Sequence, residues 1–152
     1  VRDIDRGASV GGPVEWDHVF GRVPVTLVTR LRQHADLKRG LQADVQLSAG
    51  ILRSGRVGVG VYMESIWANA KSIDGFYGVS PVQTPTTGLP AFAGTAGWLT
   101  AVSGVGARLD LSRNWVAVAE AETHQLLGAV TRSPLVERTG NYYLTLGIAV
   151  RF

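Results

Sequence analysis

Apolar and polar residues alternate one by one through most of the chain, and this period of two constrains the fold more than any other feature. In 41–51, Leu41, Ala43, Val45, Leu47, Ala49 and Ile51 oppose Gln42, Asp44, Gln46 and Ser48. In 141–152, Tyr142, Leu144, Leu146, Ile148, Val150 and Phe152 oppose Asn141, Tyr143, Thr145, Gly147, Ala149 and Arg151. The same pattern runs through 23–34, 56–67 and 98–111, the last with Leu99, Ala101, Val105, Ala107, Leu109 and Leu111 on its apolar side. It is blurred in 114–126 and shorter in 13–20, where Val14, Trp16 and Phe20 share a side. Successive side chains of a strand point to opposite faces, so each stretch predicts a strand with one apolar and one polar face. Helical periodicity is nearly absent.

The joins alternate as well. Gly21-Arg22, Arg53-Ser54-Gly55 and Ser112-Arg113 are short enough for tight turns, whereas 35–40, 68–97 and 127–140 are longer and rich in Pro, Gly and Thr. An antiparallel up-and-down meander follows, with short turns at one end and long loops at the other. A soluble barrel or sandwich would turn the apolar face inward. A transmembrane β-barrel would turn it toward lipid. Strand length favours the membrane, as do glycines 58, 60, 104, 106 and 147 on the polar face, where a narrow lumen is crowded. So does the placing of aromatics near strand ends: Trp67 and Trp98 at the long-loop end, Phe20, Trp115 and Phe152 at the other. The expected fold is therefore all-β, an antiparallel up-and-down transmembrane β-barrel. The 152 residues form one domain with six or seven strands, fewer than the eight at which such barrels begin, so it is expected to be incomplete.

Composition narrows the function. The chain has no cysteine, which excludes disulfides and thiolate chemistry. A net charge of +3 at pH 7 could suit nucleic acid, but the densest basic stretch, Arg30, Arg32, Lys38 and Arg39, is broken by His34 and Asp36. Without a basic arm or an aromatic-basic platform, nucleic-acid binding is not expected. No apolar run approaches the roughly 20 residues of a membrane helix.

The final strand resembles the assembly signal that bacterial outer-membrane barrels present to their insertion machinery, with Thr145, Gly147, Val150 and Phe152 at its positions. Upstream, Tyr77-Gly78-Val79-Ser80, Gly88-Leu89-Pro90, Ser112-Arg113-Asn114-Trp115, Leu127-Gly128, Ser133-Pro134 and Arg151-Phe152 follow in the order found in the MipA/OmpV family. The chain resembles that family most clearly over 60–152 and departs from it at Ala129-Val130-Thr131, where acidic residues are usual. The resemblance implies the outer membrane of a Gram-negative bacterium, with membrane lipid and the assembly machinery as partners. It also implies a scaffold bridging a lytic transglycosylase and a bifunctional murein synthase. Partner contacts would then come from the three short turns, all of which carry arginine. The OmpV branch implies an alternative, a channel or adhesin-like protein acting through loops 68–97 and 127–140. Members of the family are longer, with a signal peptide and further strands ahead of the point matching Val1, so a piece of a larger protein is expected.

Glu120, Glu122 and His124 lie side by side on one polar face. They could form an acid/base pair or part of a metal site. The alternative is a set of lumen charges compensated by Arg30, Arg32, Arg56, Arg108 and Arg151, with Glu64 completing the polar network. The second reading is favoured, because no nucleophile is coupled to His124. His18 and His34 read as solvated polar residues, and the scattered glycines lack the strand-to-helix setting of a phosphate loop. No enzymatic activity, metal or cofactor is expected.

Overall fold

The computed structural model describes residues 9–34 and 40–151. Seven strands run in chain order: β1 (Ser9–Phe20), β2 (Val23–His34), β3 (Leu41–Ser54), β4 (Val57–Ala68), β5 (Gly97–Asp110), β6 (Trp115–Leu126) and β7 (Gly140–Val150). Each pairs antiparallel with the next in a single sheet of order β1-β2-β3-β4-β5-β6-β7. The tight turns at Gly21 and Gly55 have φ of 65° and 53°, a left-handed backbone that glycine adopts without Cβ strain.

The expectation of a transmembrane β-barrel, incomplete at six or seven strands, is corrected by this topology. Among the described residues β1 pairs only with β2 and β7 only with β6, leaving an open sheet. Alternation assigns each side chain a face, but it carries no information about whether the first and last strand edges meet. The closed lumen that a channel would need is absent from the described strands, and a polar sheet face stands in its place. No described helix is long and apolar enough to cross a membrane, a statement that concerns helices alone.

Cross-strand partners share a face, so the register sorts the side chains. One face carries Val14, Trp16, Leu27, Leu47, Met63, Val105, Leu144 and Leu146. It is uncovered: Leu144 and Leu146 are each 72% exposed and Met63 is 63% exposed. The opposite face is polar and curls inward, because one cavity of about 1020 Å³ on that side is lined by residues of all seven strands.

The long loops fold back over one end of the polar face. The 68–97 join holds two helices, α1 (Ala70–Tyr77) and α2 (Thr84–Thr87), and the 127–140 join holds a 3₁₀ turn at Gly128–Arg132. Helical periodicity gave no sign of α1, since eight residues are too few for a pattern to repeat. Its N-cap was the available signal: Asn69 accepts a bond from the Ser72 amide at 3.0 Å. Ala68, Ile73, Leu99 and Val130 form a small core under these loops, with Ile66, Tyr77, Phe92, Leu126 and Val136 packed around it.

Two bulges alter the parity expected from the sequence. Ile66 opposes Thr100 and Trp67 opposes Trp98, which leaves Leu99 as the extra residue. Leu99 accordingly joins the buried core instead of the exposed apolar face. In β3 the pairing passes from Gly50 to Leu52, so Ile51 is extra and Arg53 falls opposite Gly58 on the polar face.

Candidate functional site

The polar face is held by two separate hydrogen-bonded groups. On β2 and β3, Arg30 donates through Nη1 to Asp44 Oδ1 at 3.1 Å and through Nη2 to Gln46 Oε1 at 3.1 Å. Asp44 is 9% exposed, and a buried carboxylate needs such a partner. On β4 and β6, Tyr62 donates its hydroxyl to Glu122 Oε1, and His124 Nε2 lies 2.7 Å from Glu122 Oε2. The His124 ring meets Tyr143 of β7 edge-on at 4.7 Å.

Gly104 makes the second group possible. It lies on β5 directly between Tyr62 and Glu122, and any Cβ there would run into the Tyr62 ring. The bare backbone lets the phenol cross a whole strand. Burial, then the hydrogen bond to Glu122 and the nearby Glu120 carboxylate, push the Tyr62 phenol well above its ordinary pKa. The hydrogen bond from Tyr62, followed by that from His124, holds the Glu122 carboxyl below the usual carboxylate range.

The expected compensation of Glu120, Glu122 and His124 by arginines takes a different form. Glu122 is satisfied by a phenol and an imidazole, while Arg108 and Arg151 both turn to Asp110, at 2.8 and 3.4 Å. Glu120 stands opposite Gly106 and Thr145, Glu64 opposite Gln46, and Arg32 opposite Gln42. Arg56 falls in the β3–β4 turn. Among the described residues no group of three His, Cys, Asp or Glu could hold a metal ion. His18, expected to be solvated and isolated, stacks on Trp16 at 5.4 Å and meets Phe20 edge-on at 4.5 Å. The i, i+2 spacing of Trp16, His18 and Phe20 on one strand was the signal for that column. His34 ends β2, and its side chain lies outside the described residues.

The motif residues come together at the two ends of the sheet. At the long-loop end the Ser133 hydroxyl donates to the Tyr77 carbonyl at 2.7 Å, with Gly78 capping α1 through its bond to the Asp74 carbonyl. Val79 pairs with Phe92 in a short bridge, Ser80 accompanies Gln83, and Pro134 follows the buried Ser133. At the short-turn end the Ser112 hydroxyl accepts from the amides of Asn114 and Trp115 at 3.3 and 3.2 Å, with Arg113 at the exposed tip. Asn114 also ties this turn to the last strand, exchanging backbone and side-chain bonds with Arg151. Thr145 faces Glu120, Gly147 faces Val118 and Val150 faces Trp115; Phe152 lies outside the described residues.

Compared with known proteins, residues 1–152 match the family model described as MltA-interacting protein MipA. No curated protein and no solved structure matches.

Proposed function

Because the chain belongs to the MltA-interacting protein MipA family over residues 1–152, we propose that it is a scaffold joining murein-remodelling enzymes to the outer membrane. The family consists of non-catalytic scaffolds, and the chain is a non-enzymatic, outer-membrane-associated protein of the cell envelope. The finer reading concerns how it is held and what it holds.

The inverted placing of apolar surface carries the membrane half of the proposal. Among the described residues, six hydrophobic residues are buried, against twenty-eight large ones that are exposed, most of them on the outward sheet face and the rest in the loops or on the polar face. A water-soluble domain keeps contiguous exposed apolar area small, so a face this continuous requires an apolar covering. The covering is membrane lipid.

The family description, an MltA-interacting protein, supports a lytic transglycosylase as one partner. A murein synthase is the second in this reading. Their docking surface is the short-turn rim, where Arg22, Arg53, Arg56 and Arg113 are exposed. Each tight turn presents arginine, whose planar fork binds carboxylates in pairs of hydrogen bonds.

The full chain in outer-membrane vesicles is expected to retain a lytic transglycosylase and a murein synthase. Replacing Arg22 and Arg113 together by Ala should reduce that retention. Retention of neither enzyme by the unaltered chain would refute the scaffold.

A further inference from the structure

We infer that the cavity at the short-turn end of the polar face is a binding site for a small polyvalent anion bearing carboxylate or phosphate groups. The inference does not depend on the scaffold reading, and its test requires no enzyme partner.

The site is built by the β3 bulge. With Ile51 as the extra residue, Arg53 enters the polar face opposite Gly58, and Gly58 in turn opposes Arg108. Two arginines therefore flank a bare glycine in one row. Neighbouring strands lie about 4.8 Å apart, which separates those two backbones by roughly 10 Å. In the adjoining row Gly50, Gly60 and Gly106 stand side by side, so the floor between the arginines carries no side chain. An added Cβ at Gly58 or Gly106 would meet nothing within 4 Å, so the floor is open at those two positions, while Pro24 lies against Gly50.

Charge complements this shape. Arg22, Arg53, Arg56 and Arg108 line the cavity, against Asp110 and Glu120. Asp110 is already occupied by Arg108 and Arg151. Among the described residues, the guanidinium groups of Arg22, Arg53 and Arg56 have no ion pair or hydrogen bond. Three cations without a partner among the described residues line one concave space of about 1020 Å³, large enough for a sugar-sized ligand. An anion there would satisfy donors that have no partner among the described residues, and concave walls concentrate the field that attracts it.

The test is titration calorimetry of the full chain in detergent with citrate, pyrophosphate and, as a neutral control, glucose. Citrate or pyrophosphate should bind, more weakly as salt is raised, while glucose should not. The tighter of the two anions identifies the acidic group preferred. Replacing Arg53 and Arg56 together by Gln should weaken binding by about tenfold or more, the loss of charge-assisted hydrogen bonds. Gly106→Glu, which adds a carboxylate at a floor position where a Cβ meets nothing within 4 Å, should abolish it. Arg132→Gln, at the long-loop end, should leave it unchanged, with circular dichroism verifying the fold of every variant. Absence of binding to either anion overturns the inference. So does binding that the cavity variants leave intact, or that Arg132→Gln weakens equally.

Discussion

Glu122 shows how much a single residue can be asked to coordinate and how little of that is visible in its sequence neighbourhood. Its carboxylate accepts from Tyr62 across an intervening strand and lies against His124 two positions on. Because these bonds hold its pKa below the ordinary value, its contribution to stability is present above the unfolded-state pKa, about 4.3. That contribution is lost as pH falls through the lowered folded-state value. Glu122→Gln should therefore melt lower than the unaltered protein at neutral pH, and the gap should narrow as the solution is acidified below about pH 4.3. Parallel melting profiles down to acid would contradict this. The sequence placed Glu120, Glu122 and His124 on one face, and the register keeps them there. It did not reveal their partners. Arginine is the counter-ion that the sequence suggests, but Gly104 opens a path for Tyr62 that depends on three strands aligning, which alternation within one strand does not encode.

Among the elements, the strands were the legible part. The stretches 23–34 and 41–51 correspond to β2 and the first part of β3, because a residue's face follows directly from its parity. Parity fails at bulges, and both bulges here move a residue of consequence: Leu99 into the core and Arg53 into the cavity lining. The loops were hardest to read. Their helices are too short for periodicity, yet Ile66, Ala68 and Leu126 are apolar at polar-face positions where the loops pack. Those breaks in alternation mark the landing site of the cap. Ser133, 3% exposed, fastens the two loops together through the Tyr77 carbonyl. Ser133→Ala leaves that carbonyl without its hydroxyl donor and should destabilise the cap by about 1–3 kcal/mol. Limited proteolysis should then cut the 68–97 loop faster while cleavage within the strands is unchanged. Equal cleavage of loop and strands would show that the cap is not a separate unit.

For the whole molecule, the order of strands followed from the short turns and long joins, but closure did not. Seven paired strands in one open sheet, with two free edges among the described residues, replace the incomplete transmembrane barrel that the alternation suggested. Parity is a property of each strand, whereas closure depends on strand number and shear. What survives is the distribution of surface: a polar, arginine-lined concave face and a broad apolar face turned outward. In the proposed role, lipid covers that outward face. Because the chain has no cysteine, single cysteines can be introduced along β7 and labelled individually with an environment-sensitive fluorophore. With the chain bound to vesicles containing brominated lipid, labels at 144, 146 and 148 should be quenched, and those at 143, 145 and 147 should not. Quenching that ignores this alternation, or that favours the odd-numbered positions, would show that lipid does not cover that face.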